Sequence, residues 1–300
     1  MTKLEKWTEA QGMVVFPRLE ELHVQDCPEL KTLCISNSQG RGSSITPFSA
    51  LRKLTLSNMT KLEKWTEAEG MVVFHDLEEL HIWDCPELKT WWASSSQGEG
   101  ESILPFPALR KLTLSNMTKL EKWTGAQGMV LFPCLEELHV RDCPERKTFC
   151  TSNSQGRGAI SRFSALRKLT LSNSRGRGAI SPFPALRKLT LSNMTKLGKW
   201  TEAQDMAVFP CLEELHIWDC PKLKTWWEDG SASPNLSKLG IQSCPNLQAI
   251  PIRLLNLTSL DINNCPKLMG YAQEGSHKWL SICHTHRIRI NGQMVQSRRS

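Results

Sequence analysis

Residues 19–30 read LEELHVQDCPEL, and the phrase returns as LEELHIWDCPEL (77–88), LEELHVRDCPER (135–146) and LEELHIWDCPKL (212–223). Its apolar residues fall on every second position. In an extended chain Leu22 and Val24 share one face, while Glu21, His23 and Gln25 share the other and point to solvent. A single strand of this kind cannot bury its apolar face. Like strands stacked side by side can, so the phrase is one unit of an array.

A sister phrase, LRKLTLSNMTKL (51–62), recurs from Leu109, from Leu186 and, in altered form, from Leu166. LSKLGIQSCPNL from Leu236 and LTSLDINNCPKL from Leu257 complete ten strands, which start at Leu19, Leu51, Leu77, Leu109, Leu135, Leu166, Leu186, Leu212, Leu236 and Leu257. All fit L-x-x-L-x-L-x-x-[Cys/Met/Asn]-x-x-L, the leucine-rich-repeat signature. The expected fold class is an α/β-type leucine-rich-repeat solenoid of about ten coils. A curved single parallel β-sheet lines its concave side, with irregular loops and short helical turns on the convex side. Ser/Gly-rich excursions at 36–46, 94–104 and 152–161 read as convex loops.

Met-Thr-Lys-Leu occurs at Met1, Met59, Met117 and Met194, each time just past a strand position. The chain therefore begins in mid-coil, as a fragment opening at an internal methionine would, a genuine short adaptor being the alternative. The last interval is longer because ALRKLTLSN is present twice, at 165–173 and 185–193. The expected divisions are an incomplete first coil over 1–18, the solenoid over 19–270 and a basic C-terminal cap or tail over 271–300.

The formal charge is +7, and from His277 onward there are Lys278, Arg287, Arg289, Arg298 and Arg299 with no acid. This end reads as a cap or a disordered tail before it reads as a contact for RNA, lipid or an acidic partner. The first fifteen residues lack a charged-then-apolar signal arrangement, and no apolar run approaches the ~18 residues of a membrane span. Eleven cysteines, an odd number, suit free thiols in a reducing compartment. The expected location is cytoplasmic, with nuclear or peripheral membrane placement as variants.

A Phe followed by Pro or Ser precedes most strands, at Phe16, Phe48, Phe106, Phe132, Phe163, Phe183 and Phe209. After the strand comes Cys-Pro-x-Leu, or Met-x-x-Leu-x-x-Trp as at 59–65 and 117–123. This combination resembles the C-terminal repeats of plant nucleotide-binding leucine-rich-repeat resistance proteins of the coiled-coil type. The segment HKWLSICHTHRIRINGQMV (277–295) is similar to how that family ends. The resemblance implies a non-catalytic protein-recognition module that senses a pathogen effector or guarded host protein and restrains a nucleotide-binding domain. No G-x-x-x-x-G-K-[ST] occurs in this sequence, so the family's nucleotide switch is not carried over to it.

Recognition in such a fold belongs to the outward strand positions. One column alternates in sign: Glu20-Glu21, Arg52-Lys53, Glu78-Glu79, Arg110-Lys111, Glu136-Glu137, Arg167-Lys168. Arg187-Lys188 then follows without an intervening acidic strand, giving a positive patch that suits either an acidic partner or a scar of duplication. The next column holds His23, His81, His139 and His216 among threonines. These histidines lie two strands apart, roughly 9–10 Å, whereas zinc needs ligands within ~2.0–2.1 Å. No metal is expected. The third column holds Trp83, Arg141 and Trp218, residue types that dominate binding energy at interfaces.

The candidate partner-binding set is therefore His23, His81, Trp83, His139, Arg141, Lys168, Lys188, His216 and Trp218. The pairs Trp91-Trp92 and Trp226-Trp227 read as packing on the descending side. Cys27, Cys85, Cys143, Cys220, Cys244 and Cys265 read as core thiols. No nucleophile elbow, His-Glu-x-x-His or phosphate loop is present, so neither an enzyme nor a cofactor is expected. Two other readings stand beside the immune one. An extracellular receptor ectodomain would use the sequons at Asn58, Asn116, Asn193, Asn235 and Asn256, and the other reading is a non-immune cytosolic adaptor.

Overall fold

In a computed structural model of the chain, each of the ten L-x-L segments forms a strand of five residues. The structure describes residues 6–7, 16–33, 48–63, 74–89, 106–120, 132–143, 165–173, 183–198, 209–225, 233–251 and 254–297. Outside them lie the three Ser/Gly-rich segments, Trp65, Trp123, Phe163, both adjacent Trp pairs, most of residues 1–18, and Arg298 and Arg299.

The described residues up to Ala165 belong to one compact unit and those from Leu166 to a second. In the first unit, strands β2 (Glu21–Gln25), β4 (Lys53–Ser57), β5 (Glu79–Trp83), β6 (Lys111–Ser115) and β7 (Glu137–Arg141) pair in parallel, each with the next. Two short strands, β1 (Lys6–Trp7) and β3 (Thr32–Leu33), pair separately. The second unit holds parallel strands β8 (Lys168–Ser172), β9 (Lys188–Ser192), β10 (Glu214–Trp218), β11 (Lys238–Gln242), β12 (Ser259–Asn263) and β13 (Arg287–Ile290). Strand β14 (Gln293–Ser297) then closes this sheet antiparallel to β13. Both units are leucine-rich-repeat solenoids.

Two tight turns recur around the described strands. Before the strand, the first leucine donates its N–H to a carbonyl three residues back, as Leu51 does to Phe48 (3.3 Å) and Leu212 to Phe209 (3.2 Å). After it, the closing leucine donates to the Cys or Met carbonyl, as in Leu62 to Met59 and Leu88 to Cys85, both 3.2 Å. The phenylalanines that mark the first turn stack from coil to coil: Phe74 on Phe106 at 5.7 Å and Phe106 on Phe132 at 6.0 Å between ring centroids. From β4 onward the strand leucines, with the closing leucines and the Cys or Met side chains, fill the interior and are nearly solvent-free, while Leu22 of the first strand is half-buried. Truncating one such leucine to alanine typically costs 2–5 kcal/mol, about the scale expected here.

One backbone position recurs in every coil. The residue that leaves the strand has positive φ: Asp26, Asn58, Asp84, Asn116, Asp142, Asn173, Asn193, Asp219, Ser243 and Asn264. Asp and Asn tolerate this left-handed region better than other side chains. The conformation aims the residue's N–H at the next coil, where it meets the last strand carbonyl: Asp26 to Ser57 (3.2 Å), Asn58 to Trp83 (3.1 Å), Asp219 to Gln242 (3.0 Å). The side chains repeat the link, with Asn58 Nδ2 donating to Asp26 Oδ1 at 2.6 Å and Asn116 Nδ2 to Asp84 Oδ1 at 2.9 Å.

Beyond the tenth strand the chain continues in regular structure. A 3-10 helix (Pro266–Ala272) and a short helix α1 (His277–Leu280), capped by Ser276 Oγ accepting from Trp279 N at 3.0 Å, bury Tyr271 and Trp279. Period-two Arg287-Ile288-Arg289-Ile290 then adds a strand, with Ile288 and Ile290 inward. Asn291 (φ 48°) and Gly292 (φ 77°) turn it into β14, the Asn-Gly chemistry of a two-residue hairpin. Two of the basic residues here make contacts within the fold. Lys278 Nζ donates to Lys267 O at 3.1 Å and lies 5.5 Å from the centroid of the Tyr271 ring, and Arg289 pairs with Asp261 at 3.5 Å.

The left-handed column has a direct test. Asn116→Gly is expected to change stability by no more than ~1 kcal/mol, because glycine accepts the same φ. Asn116→Val should lose about 2–3 kcal/mol from backbone strain and the lost link to Asp84. Urea denaturation read by circular dichroism separates them, and equal losses would contradict the assignment.

Candidate recognition surface

The outward face of each strand offers three positions, and parallel register sets like positions side by side. Glu79 lies between Lys53 and Lys111, His81 between Thr55 and Thr113, and Trp83 between Ser57 and Ser115. The same cassette recurs in β10, where Trp218 lies between Ser192 and Gln242 and His216 between Thr190 and Gly240.

In the first position the alternating signs make ion pairs across strands: Arg110 to Glu136 at 2.8 Å, Arg187 to Glu213 at 2.8 Å and Arg52 to Glu78 at 3.8 Å. Glu214 receives Lys238 at 2.6 Å and Lys188 at 3.1 Å. Hydrogen bonding from Lys238 leads in holding its carboxyl at about 2, far below the usual carboxylate value. Exposed pairs of this sort contribute ~0–1 kcal/mol each, so they set register and surface charge more than stability.

The second position departs from the solvent exposure expected of it. Thr55, His81 and Thr190 are buried, although they sit on the outward face. The reason is the third position. The Trp83 ring tilts over His81 at 5.7 Å between centroids, and Trp218 over His216 at the same distance. His23, whose strand carries Gln25 in place of Trp, keeps half its side-chain surface, whereas His81 keeps 9%. His139, on a strand ending in Arg141, is intermediate. Each histidine faces the glutamate two residues before it on the same strand, from 3.2 Å for His81–Glu79 to 3.8 Å for His216–Glu214.

Trp83 and Trp218 nevertheless remain 40% exposed. Each is an indole tilted at 47° against an imidazole. Serine lies on both sides of Trp83, and serine and glutamine flank Trp218, so large apolar area is presented at little further cost in side-chain order. Gly240 contributes to the second cassette: a Cβ there would stand 2.7 Å from His216 Nδ1, so the imidazole leans into space left by a missing side chain. The template reading had no signal for this glycine.

The remaining candidates fall as follows. Arg141 is well exposed and lies 4.0 Å from Asp142. Lys168 stands directly opposite Lys188, two basic positions in register. His23, His81, Trp83, His139 and Arg141 occupy the first unit's strand face, and Lys168, Lys188, His216 and Trp218 the second's. Two further outward residues, Asp261 and Arg289, come from strands in the last coils. The six Cys-Pro cysteines are buried free thiols, and each donates to the strand carbonyl two residues back, as Cys85 does to Trp83 O at 3.3 Å. Burial pushes the Cys85 thiol up to about 12, which suits an unreactive core group.

Burial also lowers the affinity of His81 and His216 for protons against the pull of their glutamates, with Lys53 and Lys111 flanking the first and Lys188 and Lys238 the second. Their contribution to stability is complete above 6.5, the ordinary histidine value, and is lost as pH falls below it, because the unfolded chain takes up the protons first. Glu214, at about 2, stays charged throughout that window. Urea midpoints are expected to drop from about pH 7.5 to about pH 5.5, and the drop should be shallower in a His81→Thr, His216→Thr variant. Superimposable pH profiles for the two proteins would refute the burial of these rings.

Among the described residues no helix is long and apolar enough to cross a membrane. Residues 2–99 match the family model of plant disease resistance protein RPS2-like leucine-rich repeats. That segment contains both template phrases, which recur strand after strand in the rest of the chain. Over that stretch, about a third of its length, the chain is similar to leucine-rich repeats of the plant disease-resistance type.

Proposed function

We propose that this chain is the non-catalytic recognition module of a plant intracellular immune receptor. It works in the cytoplasm, contacts a pathogen effector or guarded host protein, and restrains a nucleotide-binding domain. The observation that carries the reading is the pair of Trp-over-His cassettes, two supported indoles 40% exposed on otherwise small and charged strand faces. Exposed, pre-ordered tryptophan is the residue type that concentrates binding energy at protein interfaces. The family match over residues 2–99 supplies the immune context.

The ectodomain alternative rests on five sequons, and the repeat itself accounts for four of them. The amide nitrogens of Asn58, Asn116, Asn235 and Asn256 each donate to the preceding coil, at 2.6 Å, 2.9 Å, 2.6 Å and 2.7 Å. The hydroxyls of Thr60, Thr118, Ser237 and Thr258 do the same. At these four sequons Asn-x-Ser/Thr is a ladder between coils, and a glycan on those nitrogens would have to displace it.

The test is co-immunoprecipitation from leaf tissue with the nucleotide-binding domain of a disease-resistance protein whose repeats share this template. Association is expected, and a Trp83→Ala, Trp218→Ala variant should reduce it about tenfold, the usual weight of a hot-spot residue. Thermal melts check that the variant stays folded. No association, or association indifferent to both tryptophans, contradicts the proposal.

A further inference from the structure

The two strand faces differ in charge, and the difference comes from one duplicated strand. In the first unit every basic strand lies between two acidic ones, as β4 does between β2 and β5. In the second, β8 and β9 are both basic, Lys168 opposite Lys188, with Arg167 and Arg187 just before them. On β8 to β11 and the residue before each, the five basic residues Arg167, Lys168, Arg187, Lys188 and Lys238 outnumber the two carboxylates, Glu213 and Glu214, which pair with Arg187, Lys188 and Lys238. Arg167 is exposed and makes no ion pair among the described residues. Further along, β13 adds Arg287 and Arg289 against Asp261. Like charges held at strand spacing, ~4.8 Å, raise the local potential and attract an opposite charge.

Trp218 stands on this same face, its imidazole support leaning over Gly240. We infer that the second unit's strand face binds an acidic, extended peptide segment of a partner protein. Its carboxylates lie over Arg167, Lys168 and Lys188, and one apolar side chain rests on Trp218. From Arg167 to Trp218 is two strands across and about five residues along, on the order of 20 Å. Roughly six extended residues cover that distance. The chemistry favours peptide over nucleic acid or an anionic membrane. Glu213 and Glu214 sit inside the patch and repel an evenly charged phosphate backbone, while a peptide can put neutral residues over them. This inference rests on the reading that the strand faces recognise protein, and it adds which face, and what chemistry.

The intact chain is titrated by fluorescence anisotropy with a labelled dodecapeptide of Asp and Glu around a central Phe pair, and with its Asn/Gln counterpart. The acidic peptide is expected to bind at least about tenfold more tightly, and to weaken as salt rises from about 50 to about 300 mM. Arg167→Glu with Lys168→Glu restores the Glu-Glu pair that the repeat carries at Glu136-Glu137, so this variant keeps the fold while cancelling the patch. It should abolish the preference, Trp218→Ala should cost about fivefold or more, and Trp83→Ala in the other unit should cost nothing. Equal binding of both peptides, or full binding by the Glu-Glu variant, overturns the inference. So does equal or tighter binding of poly(U) RNA or phosphatidylserine vesicles. Failure here with the nucleotide-binding-domain association intact removes only the acidic peptide. Loss of that association too removes the recognition reading.

Discussion

Direct register between parallel neighbours is the constraint on which the rest depends. Leu22 faces Leu54, Leu54 faces Leu80 and Leu80 faces Leu112, with no offset along the first unit, and Leu169 through Ile288 do the same along the second. Because strand side chains alternate between faces, one residue of slip would put every inward leucine into water. The left-handed Asp or Asn after each strand reinforces that register by tying its N–H to the neighbouring coil. Whatever occupies a template position is therefore placed beside its own equivalents. Ion pairs, ring stacks and the like-charged patch all follow from that placement.

The fold was legible because its signal is redundant. Ten versions of L-x-x-L-x-L locate ten strands, and the recurring Phe locates a spine of stacked rings. Less legible was anything carried by a single position. The positively rotated residue after the strand is an x in the repeat signature, although it is Asp, Asn or Ser in each coil, because its role is conformational and leaves no mark on hydropathy. The last strand is hidden for a different reason: Arg287-Ile288-Arg289-Ile290 alternates as a strand should and Asn291-Gly292 is a strong hairpin signal, but the leucine template is absent there and basic residues dominate the segment.

The surface was legible only as a list of columns. Sequence alternation assigns a side chain to a face. It does not say how much water the side chain sees. Burial of His81 comes from Trp83 on its own strand and threonines on both neighbours, a local crowding that period-two reasoning omits. The contrast with His23, half exposed on an edge strand, shows that identical repeat letters acquire different physics from their surroundings.

The duplicated ALRKLTLSN also shows how such an array can grow. Each coil bonds only with the coils beside it, so an in-frame copy slots in without disturbing the interior, and the new leucines find the same pocket on either side. Its surface meets no such tolerance. An inserted coil shifts the phase between acidic and basic strands for good, and turns two former strangers into neighbours. Unequal recombination between near-identical coils thus rewrites the exterior pattern in one event, with no point substitution and with the hydrophobic interior left as it was.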